Sequence, residues 1–260
     1  MPVIENTMKT KLEAGKPVYS FNVSLTRTVA TPGIAKACGF DWLFIDAEHS
    51  TMDFDTMSAI CLAALPLGIT PIVRVTGHES FHATRMLDGG AMGVIVPHVD
   101  TPEQAARVVR NCKFPPMGER SMTAPAPQLG FEAMPASDAI TVLNETTFVA
   151  VMVETPEALE NVDALAAVPG VDSLLIGSND LSATMGIPGE LGHERMAKAY
   201  ERVIAACEKH GKHAGMGGVY DHALMEKYIG MGARFCQGGG DTAFLISAGK
   251  ERMAFLDSLA

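Results

Sequence analysis

The sequence predicts an α/β protein in which parallel strands and helices alternate along the whole chain. Eight short apolar runs recur through the 260 residues, and stretches with helical spacing separate them. No glycine fingerprint of the dinucleotide-binding type follows the first run. Eight strand and helix units in a chain of this length favour a closed TIM (β/α)8 barrel, which takes about 250 residues, over an open doubly wound sheet.

The predicted strands are rich in Val, Ile, Leu and Met, as expected for strands buried on both faces of a parallel sheet. They are residues 18–23, 42–45, 70–75, 92–96, 147–153, 173–176, 213–216 and 234–237. Helical patterns lie between them, and Thr101 followed by Pro102 marks the start of one helix. The predicted helices are residues 28–38, 53–65, 80–87, 102–111, 137–144, 156–166, 194–210, 221–231 and 242–259.

One segment departs from this alternation. Residues from about 113 to 146 are rich in Pro, Ala, Met and Gly and have no helical period before residues 137–144. Long irregular loops inside a compact domain are usually lids or binding loops. We therefore expect residues 1–260 to form one barrel domain with a long functional insertion.

Composition and charge exclude several classes of function. The formal net charge is −10 and no basic stripe offsets it, which argues against a nucleic-acid partner. No apolar stretch approaches the roughly 20 residues of a membrane span, and no signal-peptide pattern opens the chain. The five cysteines are scattered, without the spacing of a zinc ribbon or a disulfide framework. We expect a cytoplasmic protein with reduced cysteines and no membrane partner.

Two carboxylates follow neighbouring predicted strands. The run V-M-V-E-T-P-E-A-L places Glu154 directly after the fifth strand, and L-L-I-G-S-N-D-L-S places Asp180 just after the sixth. In a barrel, the carboxyl ends of the strands build the active site. Mg²⁺ and Mn²⁺ prefer oxygen ligands and often take only one or two carboxylates from a protein. Both residues are candidate ligands of one divalent cation; for Asp180 the alternative is a helix cap.

Candidate catalytic residues follow the second strand and lie on the third. His49, in the segment D-A-E-H, could act as a general base, with Asp46 orienting the imidazole. Alternatively, the acidic residues there only cap the next helix. Arg74, in P-I-V-R-V, could polarise a substrate oxygen beside the cation. The alternative for Arg74 is a structural ion pair with Asp46 or Glu48.

Glycine-rich turns offer a further kind of site. Backbone N–H groups of the turn Gly177-Ser178-Asn179 could bind a carboxylate. Other glycines, at positions 217–218 and 238–240, follow the seventh and eighth strands, where barrels commonly bind phosphate. Asp88 precedes two glycines, and its local sequence alone indicates only a helix end.

The lysines limit the chemistry. Every lysine falls in a predicted helix, loop or strand start, whereas Schiff-base aldolases on this fold need a buried lysine on a barrel strand. Carbon–carbon bond chemistry would therefore depend on a metal rather than on an imine.

Taken together, the motifs resemble those of the metal-dependent class II pyruvate aldolases of the HpcH/HpaI type, in order and spacing, over nearly the whole chain. They are F-I-D-A-E-H-S, P-I-V-R-V, R-M-L-D-G-G-A-M-G-V-I-V-P-H-V, F-P-P-M-G-E-R, V-E-T-P-E-A-L and I-G-S-N-D-L-S. That family includes 4-hydroxy-2-oxoheptanedioate aldolase and 2-keto-3-deoxy sugar acid aldolases. The resemblance implies reversible cleavage of a 4-hydroxy-2-oxo acid to pyruvate and an aldehyde, with Mg²⁺, Mn²⁺ or Co²⁺ and no organic cofactor.

The resemblance also implies residue roles. Glu154 and Asp180 would hold the cation, Arg74 the keto oxygen, and His49 with Asp46 would form the base. The turn Gly177-Ser178-Asn179 would bind the pyruvate carboxylate.

A homo-oligomer is a further implication of the resemblance. It would be a hexamer, built as a trimer of dimers, with an exchanged C-terminal helix. Asp88 would then reach the histidine pair of a neighbouring subunit.

The sequence departs from the family pattern at three places. Met152 stands where relatives often have glutamine, which removes a polar contact near the pyruvate half. The loop after the seventh strand is M-G-G-V-Y and the insertion contains T-A-P-A-P-Q-L-G-F, and these two changes fall where the aldehyde should bind. Two alternatives stay open at this point. One is a phosphate-handling barrel isomerase or epimerase, and the other is a non-catalytic relative that binds a metabolite.

Overall fold

Eight parallel strands pair in sequence order, and β1 pairs with both β2 and β8, so the sheet closes into a barrel. The computed structural model describes residues 3–122 and 125–259. The predicted (β/α)8 barrel is confirmed, and each predicted strand overlaps an observed one. The strands are β1 (Val18–Val23), β2 (Trp42–Asp46), β3 (Thr70–Arg74), β4 (Gly93–Val96), β5 (Phe148–Val153), β6 (Ser173–Gly177), β7 (His213–Gly217) and β8 (Phe235–Gly240).

Helices follow the strands, as predicted, and short 3₁₀ turns lie at Leu65–Leu67 and Pro127–Leu129. Two short helices are absent from the predicted ones: α1 precedes the first strand, and α9 directly follows the sixth. The helices of the described residues are α1 (Thr7–Glu13), α2 (Thr31–Ala37), α3 (Phe54–Ala64), α4 (Ser80–Asp88), α5 (Pro102–Cys112), α6 (Ala136–Thr146), α7 (Pro156–Glu160), α8 (Val162–Ala167), α9 (Ser178–Thr184), α10 (Glu194–His210), α11 (His222–Met231) and α12 (Asp241–Asp257).

The barrel interior is packed with large apolar side chains. Met8 and Leu12 of α1 join this cluster, so α1 covers one end of the barrel. Trp42 is the sole tryptophan of the chain; it is fully buried, and its ring stacks on Phe235 with centroids 4.2 Å apart. A second, larger core fills the space between the strands and the surrounding helices. The interior is therefore a packed core, and a ligand can bind only at an end of the barrel.

Capping residues fix where several helices begin after the strands. Asp53, Thr101, Thr155 and Asp221 each accept a hydrogen bond from a backbone N–H three residues further along. At Thr101 the side chain of Gln104 completes a capping box. These short polar contacts set the loops that surround the carboxyl ends of the strands.

The insertion packs against the barrel. Phe114, Leu129 and Leu143 belong to its own small apolar cluster, and the Gln128 amide donates to the carbonyl oxygens of Leu87 and Ala91 at 2.6 and 2.8 Å. The first two residues of the loop motif that starts at position 123 lie outside the described residues. That residues 1–260 form one domain stays a prediction.

None of the described helices combines the length and the apolar composition that a membrane span requires. All five cysteines are unpaired, and Cys38 is the exposed one.

Candidate active site

A cavity of about 670 Å³ opens where the carboxyl ends of the strands meet. Asp46 ends β2 and Arg74 ends β3, while Gly177 ends β6, so three predicted site residues reach the cavity from different strands. Its wall also includes Asn22, Ser24, Phe44, His49, Met152, Ser178, Asn179, Asp180, Gly217, Gly218, Tyr220, His222, Met225, Gln237, Gly238, Gly239, Gly240, Thr242, Ala243 and Phe244.

Arg74 is held by two carboxylates. Its Nε and Nη2 donate to the two oxygens of Asp46 at 3.0 and 2.6 Å, and Nη1 lies 3.2 Å from Oε2 of Glu48. Burial by itself lowers the pKa of the guanidinium, but the hydrogen bonds and charges of Asp46 and Glu48 outweigh it and raise the pKa. Arg74 thus forms the structural ion pair that the alternative interpretation predicted. It also places a permanent positive charge on the cavity wall.

His49 does not take its orientation from Asp46. Both Asp46 oxygens bond to Arg74, and Oδ1 also accepts from the backbone N–H of Glu48 and His49. The imidazole is 66% exposed in its side chain, and its Nε2 lies 3.8 Å from Oε2 of Glu48. The prediction that Asp46 orients this ring is therefore wrong for the arrangement seen here, because Arg74 occupies the carboxylate.

Glu154 is a buried carboxylate that lies directly after β5. Its Oε2 accepts from the backbone N–H of His98 at 2.8 Å. Burial raises the pKa of the Glu154 carboxyl, the His98 contacts oppose the rise, and the negative charges of Asp180 and Glu48 add to it. A nearby cation is therefore expected to stabilise the ionised form of this carboxylate strongly.

The turn after β6 makes room for this carboxylate. A Cβ atom at Gly177 would lie 2.6 Å from Cγ and Oε1 of Glu154. The hydroxyl of Thr184 on α9 lies 2.9 Å from the carbonyl oxygens of both Glu154 and Asp180, which ties the two segments together. The Ser178 hydroxyl is engaged with Tyr200 at 2.8 Å, so only its backbone faces a ligand.

His98 is a site residue that the sequence did not reveal. Its backbone has a φ of +54°, which is uncommon for a residue with a side chain. This conformation directs its N–H at Glu154 and places its ring between two acidic residues, 3.3 Å from Glu154 Oε2 and 3.6 Å from Glu48 Oε1. Nothing in the local sequence indicated a positive φ at this position.

Comparison with known proteins identifies the family. Residues 25–248 match the HpcH/HpaI aldolase/citrate lyase family. The chain is 41% identical to a 4-hydroxy-4-methyl-2-oxoglutarate aldolase of Hapsidospora irregularis, over 91% of this chain and 90% of that protein. It is 35% identical to a hydroxypyruvate/pyruvate aldolase of Roseobacter denitrificans, over 96% of both chains.

The chain belongs to the HpcH/HpaI aldolase/citrate lyase family. It superposes on the crystal structure of an HpcH/HpaI aldolase from Desulfitobacterium hafniense with a TM-score of 0.91 and 29% identity, covering 97% of each chain. The predicted resemblance is confirmed, and with it the assignment to a class of carbon–carbon lyases.

The residues of this HpcH/HpaI member are suited to a divalent cation. Among the described residues, no group of three His, Cys, Asp or Glu side chains is arranged as a ready metal site. The Glu154 carboxylate nevertheless lies in a space that a side chain at position 177 would fill. Burial and the negative charge of Asp180 both destabilise the ionised form of the Glu154 carboxylate, and a bound cation would stabilise it. Two oxygen donors of this kind suit a hard cation that keeps its other positions for substrate and water.

Two of the glycines predicted to follow the seventh and eighth strands, Gly218 just after β7 and Gly239 near the end of β8, have a packing explanation in this HpcH/HpaI chain. A Cβ at Gly218 would lie 2.8 Å from Nδ2 of Asn179, and a Cβ at Gly239 would lie 2.4 Å from the Phe244 ring. None of the described lysines lines the cavity, and its arginine, Arg74, is bound to carboxylates. These two glycines are required by packing, and the arginine is required by its ion pairs. Neither therefore indicates a phosphate site, which argues against the isomerase alternative.

Asp88 lies away from the cavity within this HpcH/HpaI protomer. It ends α4, and its Oδ1 accepts from Nη2 of the buried Arg120 at 2.6 Å. The Arg120 guanidinium also packs over the Phe114 ring, with Cζ 4.6 Å from the centroid. The pair anchors the start of the insertion to α4, and a catalytic role for Asp88 stays a prediction that requires a second subunit.

Proposed function

We propose that the chain catalyses the reversible aldol cleavage of a 4-hydroxy-2-oxo acid to pyruvate and a second carbonyl compound. The observation that carries the proposal is the convergence of Arg74, Asp180 and the turn after β6 on one cavity, next to the buried Glu154, in a member of an aldolase family.

A divalent cation, Mg²⁺, Mn²⁺ or Co²⁺, would be held by Glu154 and Asp180. When bound, such a cation acts as a Lewis acid that polarises the 2-oxo group and stabilises negative charge on its oxygen. The proposal needs no organic cofactor, since carbonyl polarisation is sufficient for an aldol cleavage.

The protein groups would bind the substrate and move one proton. The backbone N–H groups of Ser178 and Asn179, at the start of α9, would bind the carboxylate of the pyruvate half. Arg74 would donate to the 2-oxo oxygen, where negative charge develops as the C3–C4 bond breaks. Because Asp46 and Glu48 already fix the guanidinium, it would need little reorganisation.

His49 would act as the base. Its imidazole would take the proton of the 4-hydroxyl, the C3–C4 bond pair would move to C3 as the enolate forms, and the second carbonyl compound would leave. Return of a proton to C3 would give pyruvate. Asp88 of a neighbouring subunit would complete this group of residues.

The relatives suggest which substrate to test first. A protein 41% identical is named a 4-hydroxy-4-methyl-2-oxoglutarate aldolase and one 35% identical a hydroxypyruvate/pyruvate aldolase. We therefore place 4-hydroxy-4-methyl-2-oxoglutarate, which yields two molecules of pyruvate, at the head of a substrate series.

We also propose a homo-oligomer, a hexamer built as a trimer of dimers, located in the cytoplasm. The support is a set of six exposed apolar side chains on α12 and directly after it, which do not line the cavity. They are Leu245, Ile246, Met253, Phe255, Leu256 and, just after the helix, Leu259. Exposed apolar surface of this kind is typical of a subunit interface, and exchange of α12 between subunits would cover it.

The experiment that tests the proposal is NMR exchange of the pyruvate methyl protons in D₂O. Chelated enzyme should show no exchange, and added Mg²⁺, Mn²⁺ or Co²⁺ should restore it, because enolate formation alone suffices for exchange. Glu154→Gln and Asp180→Asn should abolish the restored exchange, whereas Glu157→Gln, an exposed control on α7, should not. Pyruvate binding without exchange under any metal would instead support the non-catalytic alternative.

A further inference from the structure

Three polar side chains form a cluster in the cavity that the proposed mechanism does not use. Asn22 lies on β1, Gln237 on β8, and Tyr220 in the loop after β7. The cluster exists because β1 pairs with β8, with Ser20 opposite Gln237 in the register. Below it the barrel interior is apolar, so these residues form a polar layer directly above the packed core.

The hydrogen bonds fix the orientation of the Gln237 amide. The backbone N–H of Gly218 donates to Gln237 Oε1 at 3.0 Å, which only an oxygen could accept. Asn22 Nδ2 donates to the Tyr220 hydroxyl at 2.9 Å, and that hydroxyl donates to the same Oε1 at 3.1 Å. Oε1 therefore has two donors, and the amide Nε2 is the part of the side chain left to face the cavity.

Nε2 of Gln237 has no hydrogen-bond partner among the residues that the structure describes, and it is not one of their fully buried unpaired atoms. The residue is 6% exposed and lines the cavity, so this donor is open to whatever fills the cavity. A rigidly held donor without a partner, in the wall of a ligand cavity, indicates an oxygen atom of the ligand.

The position of the cluster in the barrel indicates which part of the substrate it would contact. Arg74 comes from β3 and Asp180 from the segment after β6, and both would act at the pyruvate half. The described cavity residues of β1 and β8 are uncharged, namely Asn22, Gln237 and Gly238–Gly240. The cluster thus faces the part of the substrate that derives from the acceptor carbonyl compound.

We propose that Gln237, held by Tyr220 and Asn22, is a specificity-determining residue. It donates a hydrogen bond to an oxygen on the carbon next to the reacting acceptor carbonyl, as in a 2-oxo acid or a hydroxyaldehyde. An acceptor with a plain alkyl group there leaves the donor unpaired. Sites built to hydrogen-bond a substrate oxygen reject analogues that lack it far more strongly than apolar pockets do. This inference rests on the proposed aldolase function.

The test compares glycolaldehyde with propionaldehyde as acceptors for pyruvate, because the two differ only by a hydroxyl in place of a methyl group. The wild-type enzyme with Mn²⁺ should prefer glycolaldehyde in kcat/KM by about 10-fold or more. Gln237→Met, which keeps the volume and removes the donor, should bring the ratio close to one. Tyr220→Phe should lower the ratio less, since Gly218 still holds the amide, and Glu226→Gln, at an exposed position of α11 outside the cavity wall, should leave it unchanged.

Pyruvate methyl exchange, measured on the same samples, separates the two hypotheses. Exchange should persist in Gln237→Met, which also shows that the variant is folded and that the pyruvate half is intact. Wild-type exchange without an acceptor preference, or a preference retained in Gln237→Met, would overturn the role of Gln237 and leave the aldolase function standing. If Gln237→Met does not fold, an unchanged ratio in Tyr220→Phe overturns it instead. No exchange in the wild type would overturn both.

Discussion

Gly177 and Glu154 lie so close together that the last position of β6 must lack a side chain. A Cβ at 177 would be 2.6 Å from the Glu154 carboxylate oxygen Oε1. The φ of Gly177 is −82°, which any residue adopts, so space rather than backbone conformation requires glycine here. The position of one proposed cation ligand therefore depends on the absence of a methyl group on the neighbouring strand.

Gly177→Ala should weaken Mn²⁺ binding by about 10-fold or more, because the added methyl group displaces the Glu154 carboxylate. Titration calorimetry or the EPR signal of Mn²⁺ measures this without any substrate. Gly230→Ala is the matched control, since a Cβ at 230 meets no atom within 4 Å. Equal Mn²⁺ affinity in Gly177→Ala and the wild type would remove Glu154 from the cation site.

Arg74→Lys should lower kcat/KM for cleavage on the order of 10²-fold, although the charge is kept. A lysine ammonium cannot reproduce the paired bonds to Asp46 and the contact with Glu48. The measurement is steady-state cleavage of 4-hydroxy-4-methyl-2-oxoglutarate, with Mn²⁺ affinity as a second readout that should change little. Arg110→Lys, at an exposed position, serves as control. Full activity in Arg74→Lys would exclude a role for the guanidinium geometry.

The buried Lys113 should make folding stability depend on pH in the alkaline range. Burial lowers its pKa from 10.5 to about 8, and the charge of Asp172 opposes that shift. Between pH 8 and 10.5 the unfolded chain binds the proton and the folded chain does not. The contribution of Lys113 to stability therefore rises with pH through this window, by about 3 kcal/mol in total, and is lost as pH falls through 8.

The difference in unfolding free energy between the wild type and Lys113→Met isolates this contribution. It should change with pH between 8 and 10.5, in favour of the wild type at higher pH. Lys198→Met, at an exposed position, gives the baseline. A difference that stays flat across the window would show that Lys113 keeps an ordinary pKa in the fold.

Leu245→Glu should dissociate the proposed oligomer, because a carboxylate at an apolar interface loses its hydration without gaining a partner. Sedimentation velocity at micromolar concentration gives the assembly state of each variant. Leu67→Glu, at an exposed leucine away from α12, should keep the wild-type state. Wild-type protein that sediments as a monomer would contradict the oligomer.

Loss of catalytic activity on dissociation would add a second observation. Asp88 is proposed to act on a neighbouring subunit, so a dissociated Leu245→Glu protein should retain Mn²⁺ binding and lose turnover. An active monomer would show that Asp88 has no catalytic role and serves only in its ion pair with Arg120.

The barrel was predictable because several of its strands, such as β4 and β5, are continuous apolar runs, and burial on both faces makes such runs stand out in a sequence. The positions of Glu154 and Asp180 were predictable for a related reason: each follows such a run, and parallel strands deliver their carboxyl ends to one face. The resemblance to known aldolases then supplied roles that position alone could not.

Contacts that depend on closure or on unusual backbone were not predictable. Gln237 and Asn22 lie more than 200 residues apart and meet only because the last strand pairs with the first. The backbone N–H of His98 points at Glu154 because His98 has a positive φ, and nothing in the neighbouring sequence indicated this conformation. For Asp46 the sequence offered both His49 and Arg74 as partners, and the choice depended on the fold, because Arg74 lies opposite Asp46 in the β2–β3 register.

The stacked pair Trp42 and Phe235 gives this chain its own optical probe. One indole lies in the apolar interior, against a ring from the strand that completes the circle of hydrogen bonds. Its fluorescence therefore reports whether the first and last parts of the chain have come together, without a label or an engineered residue. Ligands bound above the core should leave the emission nearly unchanged, and opening of the ring of strands should shift it to longer wavelength.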